Sequence, residues 1–144
     1  MQNGENFMQQ LFPVEGFDNI LSYDICLKEY NKLFKKDPSG QRDYQKWLDR
    51  QLRYLDKAPD LNELVRTHES FEKLRQYEEY GLYAIRRPHS IGNPRIMFAA
   101  VVNEQDQLYI LLLAFKELNS SDYDRNIPVA DNRMKDILQM IKEE

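Results

Sequence analysis

The stretch LYAIRRPHSIGNPRIMFAAVV, Leu82–Val102, decides how the chain is read. It consists of two apolar, β-branched and aromatic runs joined by PHSIGNP, which reads as an antiparallel pair of strands around a loop. Three guanidinium groups interrupt it: Arg86, Arg87 and Arg95. Downstream, NEQDQ (Asn103–Gln107) leads into a third run, LYILLLAF, Leu108–Phe115, so residues 82–87, 95–102 and 108–115 form a three-stranded meander. The third run is apolar at successive positions, which places it in the best-covered part of the sheet.

Upstream the period lengthens. Tyr23, Leu27, Tyr30 and Phe34 recur at three- and four-residue steps from about Asn19, which predicts an amphipathic helix. DPSG (Asp37–Gly40) ends it, and Tyr44, Trp47, Leu48, Leu52 and Leu55 mark a second helix closed by Pro59. Two helices across a short turn read as an αα-hairpin. Leu61, Leu64, Val65 and His68 continue a helical spacing, weakly extended by Phe71 and Leu74, before the descent into the sheet. Beyond the meander, SSD (Ser120–Asp122) offers N-caps, and Val129, Met134, Ile137, Leu138 and Ile141 define a last helix with Pro128 in its first turn. Asp122–Ile127 reads as a short turn before it.

The expected fold class is therefore α+β: an N-terminal helical hairpin, a three- or four-stranded antiparallel meander and a C-terminal helix. The 144 residues suit one domain, 1–144. Residues 1–18 show no period and read as an extension or a disordered segment.

Composition narrows the function. The formal net charge of −4 argues against a protein that coats nucleic acid by bulk charge. The charge is uneven, however: residues 82–116 carry four basic and two acidic groups, while the segments on either side are net negative. No apolar run approaches the roughly 18–20 residues of a bilayer span, and MQNGENFMQQLF lacks a signal-peptide pattern. A soluble, cytoplasmic protein without a membrane partner is expected. Cys26, the single cysteine, reads as a small buried side chain and makes a reducing compartment plausible. Metal-ligand spacings and a glycine-rich phosphate loop are absent from the sequence, so neither metal nor cofactor is expected. The two histidines carry little: His68 fits an amphipathic helix position and His89 a solvated loop, although His89 stands among arginines.

The arginines carry more. Successive strand residues face opposite sides, so Arg86 and Arg87 cannot enter one site together. In a meander the end of the first strand, the start of the second and the end of the third share one edge. Arg86 or Arg87, Arg95 and Lys116 are thus expected to converge there. Such residues often only protect edges, but an arginine fork also matches phosphate oxygens.

LYAIRR, NPRIMFAAVV, LYILLLAFKE and DYDRNIPVADNRMKDIL, in this order, resemble the RelE/ParE superfamily of type II toxins, in its phage-derived, HigB-like branch. The resemblance covers residues from about 71 to 141 and rests on Leu82, Tyr83 and Arg86, on Arg95, on Leu112, Phe115 and Lys116, on Asp122 and Tyr123, and on Ala130 and Arg133. It implies a RelE-like fold and a metal-independent, ribosome-dependent endoribonuclease that cleaves mRNA and stops translation. An antitoxin, typically a helix-turn-helix protein, would block it. By the same resemblance Arg86 and Arg95 would stabilise the transition state and Lys116 would position phosphate. His89 or Tyr123 would move a proton, and Arg87 and Arg133 would contact RNA. Two other readings stay open: a ParE-like inhibitor of DNA gyrase without nuclease activity, and a degenerate member that only binds its partner. Leu118, standing where the family often has a lysine, motivates the last.

Overall fold

A computed structural model describes residues 10–88, 94–102 and 107–143. The described chain begins with two short strands, β1 (Leu11–Pro13) and β2 (Ile20–Tyr23). Three helices follow: α1 (Asp24–Leu33), α2 (Pro38–Lys57) and α3 (Leu61–Thr67). Then come β3 (Phe71–Gln76), β4 (Gly81–Arg86), β5 (Pro94–Val102), β6 (Gln107–Lys116) and the long helix α4 (Ser121–Glu143).

The class is α+β, but the expected N-terminal helical hairpin and all-antiparallel sheet are overturned. One mixed sheet of six strands runs in the order β1-β2-β6-β5-β4-β3. β3 to β6 form an antiparallel meander, β2 lies parallel to β6, and β1 pairs antiparallel with β2. The reason lies in ILSY, Ile20–Tyr23. Ile20, Ser22 and Tyr23 are buried, and Tyr23 is at once the last strand residue and the N-cap of α1, with no side-chain cap to punctuate the change. Helical spacing read from Asn19 therefore ran through a strand.

β3 also differs from the helical spacing of Phe71 and Leu74. A bulge between Lys73 and Arg75 breaks the two-residue alternation there, so the apolar residues fall three apart in an extended chain. α4 is one helix that includes Asp122–Ile127, with Pro128 inside it rather than in the first turn. The three strands of the quoted region lie within a residue of their expected ends.

The central strands β4, β5 and β6 are buried on both sides. One face carries Phe71, Tyr83, Phe98 and Tyr109, whose rings meet in a row: Tyr83 stacks on Phe98 at 5.4 Å, and Phe71 and Tyr109 meet Phe98 edge-on. Leu48 and Leu52 of α2 close this side with Ile96, Leu111 and Cys26 around a small cavity of about 100 Å³. Cys26 is buried there, and burial pushes its thiol well above the usual range, so it is a packing group. Ile127, Ala130, Met134 and Ile137 of α4 join the same connected core.

β2 ends its pairing at Ser22–Leu111, and beyond that point β6 has no strand on this flank among the described residues. α1 continues from β2 alongside the exposed stretch. The Ala114 N–H donates to Glu29 Oε1 at 3.2 Å, and the Leu112 carbonyl accepts from Arg133 Nη1 at 2.8 Å. Arg133 and Glu29 also grip each other through two bonds of 2.8 Å. An ion pair thus replaces the missing strand and serves backbone groups that burial would leave unpaired.

Among the described residues, no helix is long and apolar enough to cross a membrane.

Candidate phosphate-binding site at the end of the meander

Arg86 ends β4 and Arg95 stands beside the start of β5. They are direct cross-strand partners, and Phe115 of β6 completes the row. Like charges directly opposite each other destabilise a sheet, so the pair needs compensation or a use. Part of the compensation is visible. Glu72, diagonal to Arg86 on β3, places Oε2 3.6 Å from Arg86 Nε. Glu117, just past β6, places Oε1 3.4 Å from Arg95 Nε.

The two arginines differ in access. The Arg86 side chain is 46% exposed. Arg95 is buried, with Nη1 donating to the Pro94 carbonyl at 3.0 Å. Its Nε lacks a hydrogen-bond partner among the described residues, because Glu117 lies within ion-pair range without the required alignment. A buried donor left in that state is rare in native proteins and marks a place where another acceptor fits.

Tyr123 of α4 comes in beside them. Its ring meets Phe115 edge-on at 5.5 Å, and its hydroxyl is buried with no hydrogen-bond partner among the described residues. Burial pushes this hydroxyl up to about 12; Arg95 and Arg86 pull against the shift, and Glu72 and Glu117 add to it. At neutral pH Tyr123 is therefore a donor and not a base. Asp122 fixes its position. The buried Asp122 carboxylate accepts from Leu118 N at 2.6 Å and Asn119 N at 2.9 Å, and pairs with Arg125. These bonds tie the β6–α4 loop to the first turn of α4 and hold the Asp122 carboxyl below its usual range.

A groove of about 820 Å³ opens beside this group, running over the start of β3 towards α3. Arg66, Lys73, Arg86 and Arg95 line it against Glu69 and Glu72, so its walls are net positive in an acidic chain. Fields from one sign of charge in a cleft concentrate anions.

The other sequence-predicted residues lie elsewhere. Arg87 has left the strand and turned to α2, where Nη1 bonds Asp43 Oδ2 at 2.8 Å and the guanidinium stacks over Trp47. Arg133 is committed to Glu29 and Leu112 and stacks on Tyr23. Both are engaged in packing contacts away from the Arg86–Arg95 pair. Lys116 pairs with Pro94, one row beyond Arg95, so its side chain points to the opposite face of the sheet. Edge convergence held for the backbone, but the alternation of side chains separates Lys116 from the arginine pair. His89 lies outside the described residues. Sequence reasoning missed Glu72 and Glu117. Glu72 was hidden by the helical reading of β3; the adjacency of Glu117 to Lys116 was the only available signal for the second.

A carboxylate, two guanidinium groups and a protonated phenol can act on a phosphodiester without a metal. The carboxylate can take a proton from a hydroxyl, the guanidinium groups can bind charge that develops on phosphoryl oxygens, and the phenol can donate. Among the described residues, no group of three His, Cys, Asp or Glu side chains is arranged to hold a metal ion. No family model, curated protein or solved structure matches this chain.

Proposed function

We propose that the chain is a metal-independent endoribonuclease acting on mRNA at the ribosome, the toxin of a toxin–antitoxin pair. The observation that carries this reading is the cross-strand pair Arg86–Arg95 with the unpartnered Tyr123 hydroxyl beside it. The ribosome and the antitoxin enter through the sequence resemblance to RelE/ParE toxins.

The chemistry is internal transesterification. The 2′-oxygen attacks the adjacent phosphorus as Glu72 takes the 2′-hydroxyl proton. Arg86 and Arg95 bind the two non-bridging oxygens, which carry more charge in the transition state than in the substrate. The P–O5′ bond breaks, and Tyr123 gives its proton to the leaving 5′-oxygen. The products are a 2′,3′-cyclic phosphate and a free 5′-hydroxyl, and proton return from Glu72 to Tyr123 through solvent resets the site. Engagement of Arg86 and Arg95 by phosphate displaces Glu72 and Glu117 from them, which frees Glu72 to act as the base.

The test is inducible expression in a bacterial host, wild type beside Arg86→Ala, with growth and mRNA ends followed together. Arg86 is exposed, so its loss leaves the core intact. Growth arrest with new cleavage ends inside codons, both lost in Arg86→Ala, is the expected result; removal of one such charge typically costs about 100- to 1,000-fold in rate. Arrest with intact mRNA and DNA damage would replace this reading with gyrase inhibition. A soluble, folded protein that causes no arrest would leave a partner-binding role.

A further inference from the structure

A second basic groove lies on the other face of the same sheet end. It has a volume of about 490 Å³ and is built from the end of α1, the residues that follow it, and the end of β6. Lys32, Lys35, Lys36 and Lys116 line it, with Phe34 and Pro94 as apolar wall. Among the described residues, none of the four lysines lies within 4.0 Å of a carboxylate oxygen. The arginines of the sheet end each have such a partner.

Asp37, the acidic residue of the lining, is already engaged: its Oδ1 accepts from Gly40 N at 2.9 Å as the cap of α2. Lys32 complements the C-terminal dipole of α1. That explanation does not extend to Lys35 and Lys36, which follow the helix, or to Lys116, which arrives from a strand. Four ammonium groups gathered around one carboxylate that already caps α2, in a chain of net charge −4, are held at a cost in mutual repulsion.

The position of the groove specifies what it would hold. Pro94 belongs to the lysine groove and Arg95 to the arginine site, and the two are consecutive residues of β5. An extended anion that wraps the end of the sheet passes from one site to the other. Lysines along a groove with an aromatic ring in the wall suit a single-stranded backbone with a base against the ring. A duplex or a compact anion has no use for that wall.

We propose that the Lys32–Lys35–Lys36–Lys116 groove binds the single-stranded RNA flanking the phosphate held by Arg86 and Arg95, a proposal that rests on the nuclease reading for its ligand. Lys116 then tracks the backbone outside the reacting site.

The test uses a fluorescein-labelled all-deoxy oligomer of about ten nucleotides, within the usual site size of single-strand binders. It lacks the 2′-hydroxyl, so binding is read without cleavage. Anisotropy titrations over a salt series compare wild type, Lys35→Ala/Lys36→Ala and Arg86→Ala, with folding checked by circular dichroism. The double lysine variant is expected to flatten the log K against log salt slope by about 1.4 and to weaken binding about tenfold at low salt. Unchanged slope and affinity in that variant, or no binding by the wild type, overturns the proposal. Lysine-dependent binding by a protein that never cleaves RNA would sink the nuclease reading and leave the groove standing. Lysine-dependent binding to vesicles containing phosphatidylserine, with none to the oligomer, would assign the groove to lipid headgroups and overturn it as an RNA site.

Discussion

Replacing Arg133 with alanine separates a packing role from an RNA-binding one. The Arg133 guanidinium makes two bonds of 2.8 Å to Glu29 and one of 2.8 Å to the Leu112 carbonyl, and its side chain is only 17% exposed. Truncation leaves the Glu29 carboxylate, 27% exposed, without its counter-charge and the Leu112 carbonyl without its donor. Breaking a fully buried pair costs about 3–5 kcal/mol, and the residual solvent access here brings the expectation to the low end, about 3 kcal/mol. For a chain near this size that lowers Tm by roughly 6–12 °C. Thermal melts followed by circular dichroism measure it. Glu29→Ala removes the other half of the clamp and also strands the Ala114 N–H, so the two substitutions together should cost less than their sum. A melting point within about 2 °C of wild type, combined with lost RNA binding, would falsify the clamp and return Arg133 to the nucleic acid.

Three other outcomes are expected. Tyr77 and Tyr80 both donate to Asp131, at 2.6 and 2.7 Å, joining the β3–β4 turn to α4; Tyr80→Phe, at the buried member, should cost about 1.5–3 kcal/mol and Tyr77→Phe less, by urea denaturation. Pro128 lies exposed within α4 and cannot donate to the turn before it, so Pro128→Ala should raise stability by about 1–3 kcal/mol; a fall would mean that the proline backbone at this position is needed for packing. Asp122 has its carboxyl held below the usual 3.8 by the Asn119 and Leu118 amides, so its contribution is complete above that value and is lost as pH falls through the depressed one. The melting-point gap between wild type and Asp122→Asn should be widest near neutrality and close in acid; a gap independent of pH would contradict this assignment.

What the sequence revealed depended on whether the relevant signal was local. The antiparallel strands around Arg86 and Arg95 announced themselves by composition and turns. The unbroken apolar run of β6 indicated a covered strand, and β6 does lie inside the sheet between β2 and β5. β2 stayed hidden because a strand of only four residues, three of them apolar, passes directly into a helix with no capping side chain between. β3 stayed hidden because its bulge imitates a helical step. The cross-strand position of Arg86 and Arg95 followed from meander topology, whereas the loss of Lys116 to the other face required counting alternation, not edges. Arg133 could not be placed at all from the sequence, since its partner Glu29 lies far away along the chain.

The parallel pairing of β2 with β6 also sets an order of events during synthesis. Ile20 and Ser22 cannot take up their pairing with Tyr109 and Leu111 until those residues have left the ribosome, so one edge of β2 must remain unpaired while α1, α2, α3 and the first three meander strands emerge. Contacts closed across so much chain form slowly, and an apolar strand kept waiting is open to the wrong partner. The nascent chain therefore lacks the complete arginine row until β6 is made, because that row is completed by Phe115. Any activity that depends on the row can begin only after β6 has been inserted.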